Sequence, residues 1–159
     1  MLEVTRTMLR RRRTVRPAHL QLGELGEQRA YDYLTKYEGY RVVATNFVVP
    51  LGRGLRGSKL TAEIDLIAYD GDTLAFVEVK TRTSDELVPP ERAVTLRKQR
   101  QIARAARRYR RLMKVEGELH RYDVVTVIPD STKGDVELLR GYFDDRVFQK
   151  GKYFRRDEF

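Results

Sequence analysis

The chain has 159 residues, 41% of them hydrophobic, enough to bury one core and not two. It has no cysteine, which excludes both a disulfide framework and a thiolate zinc site. No apolar run approaches the roughly 20 residues that span a bilayer and the N-terminus lacks a signal-peptide core, so a soluble cytoplasmic chain without a membrane partner is expected. The net charge of +9 is local. Residues 1–16 hold six Arg and one Glu, residues 97–114 hold nine Lys or Arg and no acid, and the remainder is net acidic. Basicity confined to two segments is the electrostatic pattern of nucleic-acid contact.

In chain order, residues 1–18 read as a basic disordered arm, with Arg10-Arg11-Arg12-Arg13 ahead of Pro17. Residues 19–145 form the one folded domain and 146–159 a polar tail. A first helix runs from near Leu20 to about Tyr37, with Leu22, Leu25, Gly26, Ala30, Tyr33 and Tyr37 inward and Glu27 at the margin of that stripe. Tyr40 to Val49 gives a strand, with Asn46 marking a bend. Gly52-Arg53-Gly54-Leu55-Arg56-Gly57 satisfies the dinucleotide fingerprint, but Ser58-Lys59-Leu60 leads into a strand where that motif needs a helix. Leu51 to Lys59 is therefore expected to be a mobile basic loop.

Two strands follow, Thr61 to Ala68 and Leu74 to Lys80, with period-two alternation and Asp70-Gly71-Asp72-Thr73 as turn between them. If those four residues are the loop, Tyr69 pairs with Leu74, Asp65 stands opposite Glu78 and Glu63 opposite Lys80, all four on one face. Opposed like charges destabilise a sheet. A hard divalent cation, Mg²⁺ or Mn²⁺, offsets the repulsion, since it takes one or two carboxylates and fills its other positions with water and phosphate oxygens. Lys80 could then assist proton transfer or stabilise transition-state charge, and the sequence leaves both open.

Residues 97–114 make a helix whose stripe Ile102, Ala105, Ala106, Tyr109, Leu112 and Met113 packs on the sheet. Arg97, Arg100, Arg104, Arg107, Arg108 and Arg111 occupy the opposite side and are the expected phosphate contacts. Lys98 falls beside the apolar stripe, where it can point toward the sheet or snorkel to water. Tyr122 to Ile128 reads as a buried central strand and Val136 to Phe143 as an edge strand. The expected fold is α/β, a mixed central sheet with helices covering its faces. His19 and His120 stand apart from any triad-like arrangement.

Glu63-Ile64-Asp65-Leu66-Ile67 followed by Phe76-Val77-Glu78-Val79-Lys80-Thr81-Arg82 resembles the PD-(D/E)xK nuclease superfamily and, within it, the YraN-like family of endonucleases related by resemblance to Holliday-junction resolvases. The likeness runs from Gly23 to about Phe143. It implies a three-layer restriction-endonuclease-like fold, metal held by Asp65 and Glu78, and Lys80 orienting the attacking water. It also implies that Glu27, in Gly26-Glu27-Gln28-Arg29-Ala30, is the acidic residue of the first helix, and that Lys98 is an accessory basic group. Glu63 is a further candidate ligand. The expected activity is metal-dependent hydrolysis of DNA, branched or single-stranded. By analogy with resolvases, a homodimer is an implied state. A noncatalytic nucleic-acid-binding module on the same fold is the alternative.

Overall fold

The computed structural model describes residues 17–54, 56–82, 89, 92–129 and 136–149. The arginine-rich arm at 1–16 and the end of the chain after Gln149 lie outside the described residues. Helix α1 spans Ala18–Lys36, followed by strands β1 (Arg41–Arg53), β2 (Lys59–Asp70) and β3 (Thr73–Thr81). Helix α2 (Leu96–Met113), strands β4 (His120–Val127) and β5 (Val136–Phe143), and a 3-10 turn at Asp145–Phe148 complete the order.

The five strands lie in chain order, antiparallel except for β3 and β4, which run parallel. That one parallel pair needs a crossover, and α2 supplies it. Alternation divides the core into two layers. Leu74 and Phe76 of β3, with Tyr122 and Val124 of β4, pack with α2, while Ala75, Val77, Val79, Val125 and Val127 pack with Ala30 and Leu34 of α1. The mixed sheet with a helix on each face is the restriction-endonuclease-like arrangement expected from the sequence.

Both helices sit slightly differently from the expected wheels. In α1 the buried line is Gly26, Ala30 and Leu34, at four-residue spacing, while Leu25 and Tyr37 are exposed. In α2 the alanines Ala103, Ala105 and Ala106 are all buried beside Ile102 and Tyr109, but Leu112 and Met113 run past the sheet into solvent. Thr95 caps α2 by accepting from the Lys98 backbone N–H. Lys114 closes it in the left-handed conformation, φ 58°.

The expected loop at Leu51 to Lys59 is mostly hairpin. β1 reaches Arg53 and β2 starts at Lys59, with Gly52 opposite Leu60 and Arg53 opposite Lys59. A register shift between Pro50 and Gly52 lets the chain turn, and Gly52 meets it at φ 115°, open to glycine without strain. No helix follows the glycines, as the dinucleotide test required.

A polar network ties the turn end of the sheet. Fully buried Asp123 accepts from the Tyr40 hydroxyl at 2.9 Å, the Gly141 N–H at 2.8 Å and Arg121 Nε at 2.9 Å. Arg121 also bonds Asp70 at the β2–β3 turn, and Arg140 joins Asp70 to Glu38. Every polar atom of this buried acid is engaged, so its role is structural.

Gly26 is the closest helix-to-sheet approach. A β-carbon there would stand 1.9 Å from Thr81 Oγ1, so the helix axis can come this near only with glycine. Gly26→Ala should therefore destabilise by about 1–3 kcal/mol, the usual cost of overpacking, despite alanine's better helix propensity. Thermal melts check it, and Thr81→Ala added to Gly26→Ala should recover part of the loss.

Candidate metal and nuclease site

The β2–β3 register matches expectation from the turn upward: Tyr69 faces Leu74, Ile67 faces Phe76 and Leu66 faces Val77. Asp70 and Thr73 also pair, so the turn is one pair tighter than four residues, with the same register. Beyond Leu66 the ladder stops. The cause lies one strand over, where Asn46 takes a left-handed conformation, φ 48°, in the bend that the sequence suggested. Either side of Asn46 and its neighbour Asp65, alternation flips: Ala44 and Phe47 of β1, like Ile64 and Ile67 of β2, have opposite parity yet pack in the same α2-side core. Asp65 sits at this break, between the two faces.

Continued regularly, β2 would place Ile64 opposite Val79. Instead the Asp65 carboxylate accepts the Val79 N–H at 2.7 Å. Glu78, on the α2 face of β3, is 2% exposed. Its Oε1 accepts from Lys80 Nζ at 2.7 Å, while Oε2 has Lys98 Nζ at 3.2 Å without hydrogen-bond geometry and is left with no hydrogen bond. Lys98 thus points into the sheet from the first turn of α2. Burial and the neighbouring Glu78 charge push the Asp65 carboxyl from 3.8 to about 7, against the opposing effect of the Val79 N–H.

Glu27 reaches the same place from the other face. A cleft of about 240 Å³ is lined by Glu24, Glu27, Gln28 and Tyr31 of α1 and by Thr45, Asn46, Asp65 and Leu66 of the sheet. Burial raises the Glu27 pKa, an Asn46 side-chain hydrogen bond opposes the rise, and Glu63, Glu24 and Glu78 add to it. Glu63 does not join Glu78 and Lys80 on one face. Its neighbours Ala62 and Ile64 point into the α2-side core, so Glu63 is exposed on the opposite side, opposite Val48 of β1. The parity flip at Asn46 and Asp65 is the reason.

Among the described residues no three His, Asp or Glu side chains gather closely enough to form a metal cage alone. The donor set nevertheless fits a hard cation that keeps water or phosphate ligands: carboxylates only, one with an unsatisfied buried oxygen and the other resisting ionisation.

The family model described as "Uncharacterised protein family UPF0102" matches residues 26–127. The chain belongs to this family. UPF0102 proteins of Koribacter versatilis, Solibacter usitatus and Desulfosudis oleivorans are 38%, 44% and 42% identical to it. These alignments cover 80%, 76% and 78% of this chain and 82%, 84% and 90% of the relatives. Among solved structures, the crystal structure of SSO0001 aligns with a TM-score of 0.42 at 17% identity, over 80% of this chain and 55% of that one. The YraN-like resemblance and the UPF0102 match agree. The matched span opens on Gly26-Glu27 and contains Asp65, Glu78, Lys80 and Lys98.

Of the seven α2 arginines, the six expected at phosphate divide into two groups. Arg100 Nε donates to the Val147 carbonyl at 2.7 Å, and Arg107 lies 4.0 Å over the Phe148 ring near Asp145, so these two hold the 3-10 turn against the helix. Arg97, Arg104, Arg108 and Arg111 are exposed. His120, given no role from sequence, has Nε2 3.5 Å from Asp145, whose Oδ1 accepts from Tyr122 at 2.8 Å; it belongs to the same structural anchor.

Asn46 and Gly26 are the positions that sequence reasoning undervalued in building the site. Asn46 bends β1, so that Asp65 leaves the ladder, and bonds Glu27; Gly26 brings α1 close enough for Glu27 to arrive. A glycine inside a helical pattern was the available signal.

The raised Asp65 carboxyl carries a stability cost. The cost is absent below about pH 4, where the carboxyl is protonated folded or unfolded, and grows as pH rises to about 7. Asp65→Asn keeps an acceptor for the Val79 N–H and has no charge to bury. Its melting temperature should exceed the wild type's by several degrees at about pH 8, corresponding to about 1–3 kcal/mol after allowance for partial exposure. The gap should close near pH 4.

Proposed function

We propose that this chain is a metal-dependent endonuclease acting on phosphodiester bonds of DNA. The observation that carries the reading is the meeting of half-buried Asp65 with buried Glu78, the first with its carboxyl pushed up to about 7 and the second keeping an oxygen without a hydrogen bond. Such a pair is expensive in a sheet and is relieved by a cation.

Asp65 and Glu78 would hold Mg²⁺ or Mn²⁺, with Glu27 available across the α1-side cleft and Glu63 near enough for its charge to raise the Glu27 pKa. A cation there supplies Lewis-acid stabilisation of a pentacoordinate phosphorus and a template for the substrate. The chain's own groups do the rest. Lys80 is tethered to Glu78 by its 2.7 Å hydrogen bond, yet about a third of its side chain is exposed, so its ammonium can meet a phosphate or a water at the site mouth. Lys98 brings a second positive charge from α2, 3.2 Å from Glu78 Oε2. Together the lysines neutralise the carboxylate before metal or substrate arrives and are free to turn toward phosphate charge afterwards.

A noncatalytic nucleic-acid-binding module has one observation in its favour: Lys80 and Lys98 already satisfy Glu78 by charge, so the arrangement can stand without a cation. Two measurements separate the readings. Calorimetry with Mn²⁺ should detect binding that strengthens between about pH 6 and 8, as the proton on Asp65 stops competing, and that is lost in Asp65→Asn. Linear, branched and single-stranded DNA should be cleaved in Mg²⁺ or Mn²⁺, and Asp65→Asn or Lys80→Ala should lower the rate by about a hundredfold or more. Residual cleavage equal in wild type and both variants identifies a contaminant and overturns the nuclease reading.

A further inference from the structure

The exposed arginines of α2 face the β1–β2 hairpin across an open groove. At one end a cleft of about 420 Å³ lies between Leu51, Leu60 and Thr61 of the hairpin and Leu96, Arg97 and Arg104 of the helix. At the other, a cleft of about 320 Å³ lies between Pro50 and Leu51 and the arginines Arg104, Arg107, Arg108 and Arg111. Leu51 and Arg104 line both, so the two clefts are one groove.

The free arginines fall at spacings of seven, four and three residues, which keeps them on one line along the helix over about 21 Å. Among the described residues none of the four takes part in an ion pair, whereas Arg107 does and Arg100 is bonded to a carbonyl. Among the described residues no acid lines either cleft, in contrast to the α1 side, where Glu24, Glu27 and Asp65 line theirs. The groove's Arg97 end adjoins Lys98, whose ammonium meets Glu78.

The floor decides which nucleic acid fits. Leu60 is 46% exposed and Leu96 51% exposed, apolar surface lining the same cleft as Arg97 and Arg104. A duplex presents sugar and phosphate to such a wall and keeps its base faces stacked inside, which would leave these leucines against charge. An unpaired strand has base faces to lay on them while its phosphates meet the guanidinium line.

We infer that the groove between α2 and the β1–β2 hairpin seats an unpaired nucleic-acid strand, phosphates along Arg97, Arg104, Arg108 and Arg111 and bases against Leu60 and Leu96. The inference names the substrate class of the proposed nuclease and rests on that reading only for what happens at Glu78: the groove feeds a single strand, or the single-stranded part of a branched DNA, to the carboxylates.

Fluorescence anisotropy of the full chain in EDTA tests this without cleavage. The probe is a labelled oligothymidylate about 12 nucleotides long, compared with a blunt hairpin duplex of similar length. The oligothymidylate should bind more tightly, with a slope of log affinity on log salt of about −3 for four phosphate contacts. The double variant Arg104→Gln/Arg108→Gln should reduce that slope by about 1.4. Leu60→Ser/Leu96→Ser, both at exposed positions that the fold does not need, should weaken oligothymidylate binding about tenfold with the slope unchanged. Duplex binding as tight as single-strand binding, or full affinity in the leucine variant, overturns the inference. Single-strand binding as described in a chain that neither binds Mn²⁺ nor cleaves would overturn the nuclease reading and leave the groove standing.

Discussion

A buried carboxylate and a half-buried one at a single point cannot both be ionised cheaply, and much of the molecule's polar architecture is arranged around that fact. Asp65 and Glu78 meet where β2 parts from β3, with one backbone N–H and two lysines as their support. The supports arrive from two elements: the Val79 N–H and Lys80 from β3, Lys98 from the first turn of α2. The repulsion is moderated rather than abolished, and the raised Asp65 carboxyl is its remainder.

Asp123 shows how the same chain treats a buried acid with no further task. It too is fully buried, and it too has a cationic neighbour, but it is surrounded by a tyrosine hydroxyl, a backbone N–H and an arginine Nε shared between its two oxygens. That end of the sheet is closed. Glu78 lies on the next strand with an oxygen left open. A single sheet thus holds one acid with every polar atom bonded and one with an oxygen left without a hydrogen bond, and it is the second on which the proposed site rests.

Local pattern was enough to read the strands, the β2–β3 register and the helix on each face, because period-two alternation and an Asp-Gly turn depend only on near neighbours. The family was legible for the same reason, from two short strand motifs. What escaped was set by contacts across the chain. Glu63 lost its place beside Lys80 because Asn46, on another strand, flips the alternation that the argument relied on. The inward line of α1 rotated because Gly26 must meet Thr81, some fifty residues on. Arg100 and Arg107 have a structural task that the wheel did not show, because the 3-10 turn after β5 docks on them. None of these partners is visible from spacing along one helix.

The three buried alanines of α2 have a geometric meaning beyond filling a core. Small side chains on the inner surface let the helix lie low on the sheet, and the height of a helix fixes where its outer side chains begin. Here the guanidinium line starts near the level of the hairpin's leucines, and Lys98 is near enough for its ammonium to reach a β3 carboxylate. The alanines act as a spacer of minimum thickness. A chain with bulkier residues at these three positions would carry the same charges on a raised helix, farther from the β3 carboxylate that Lys98 reaches.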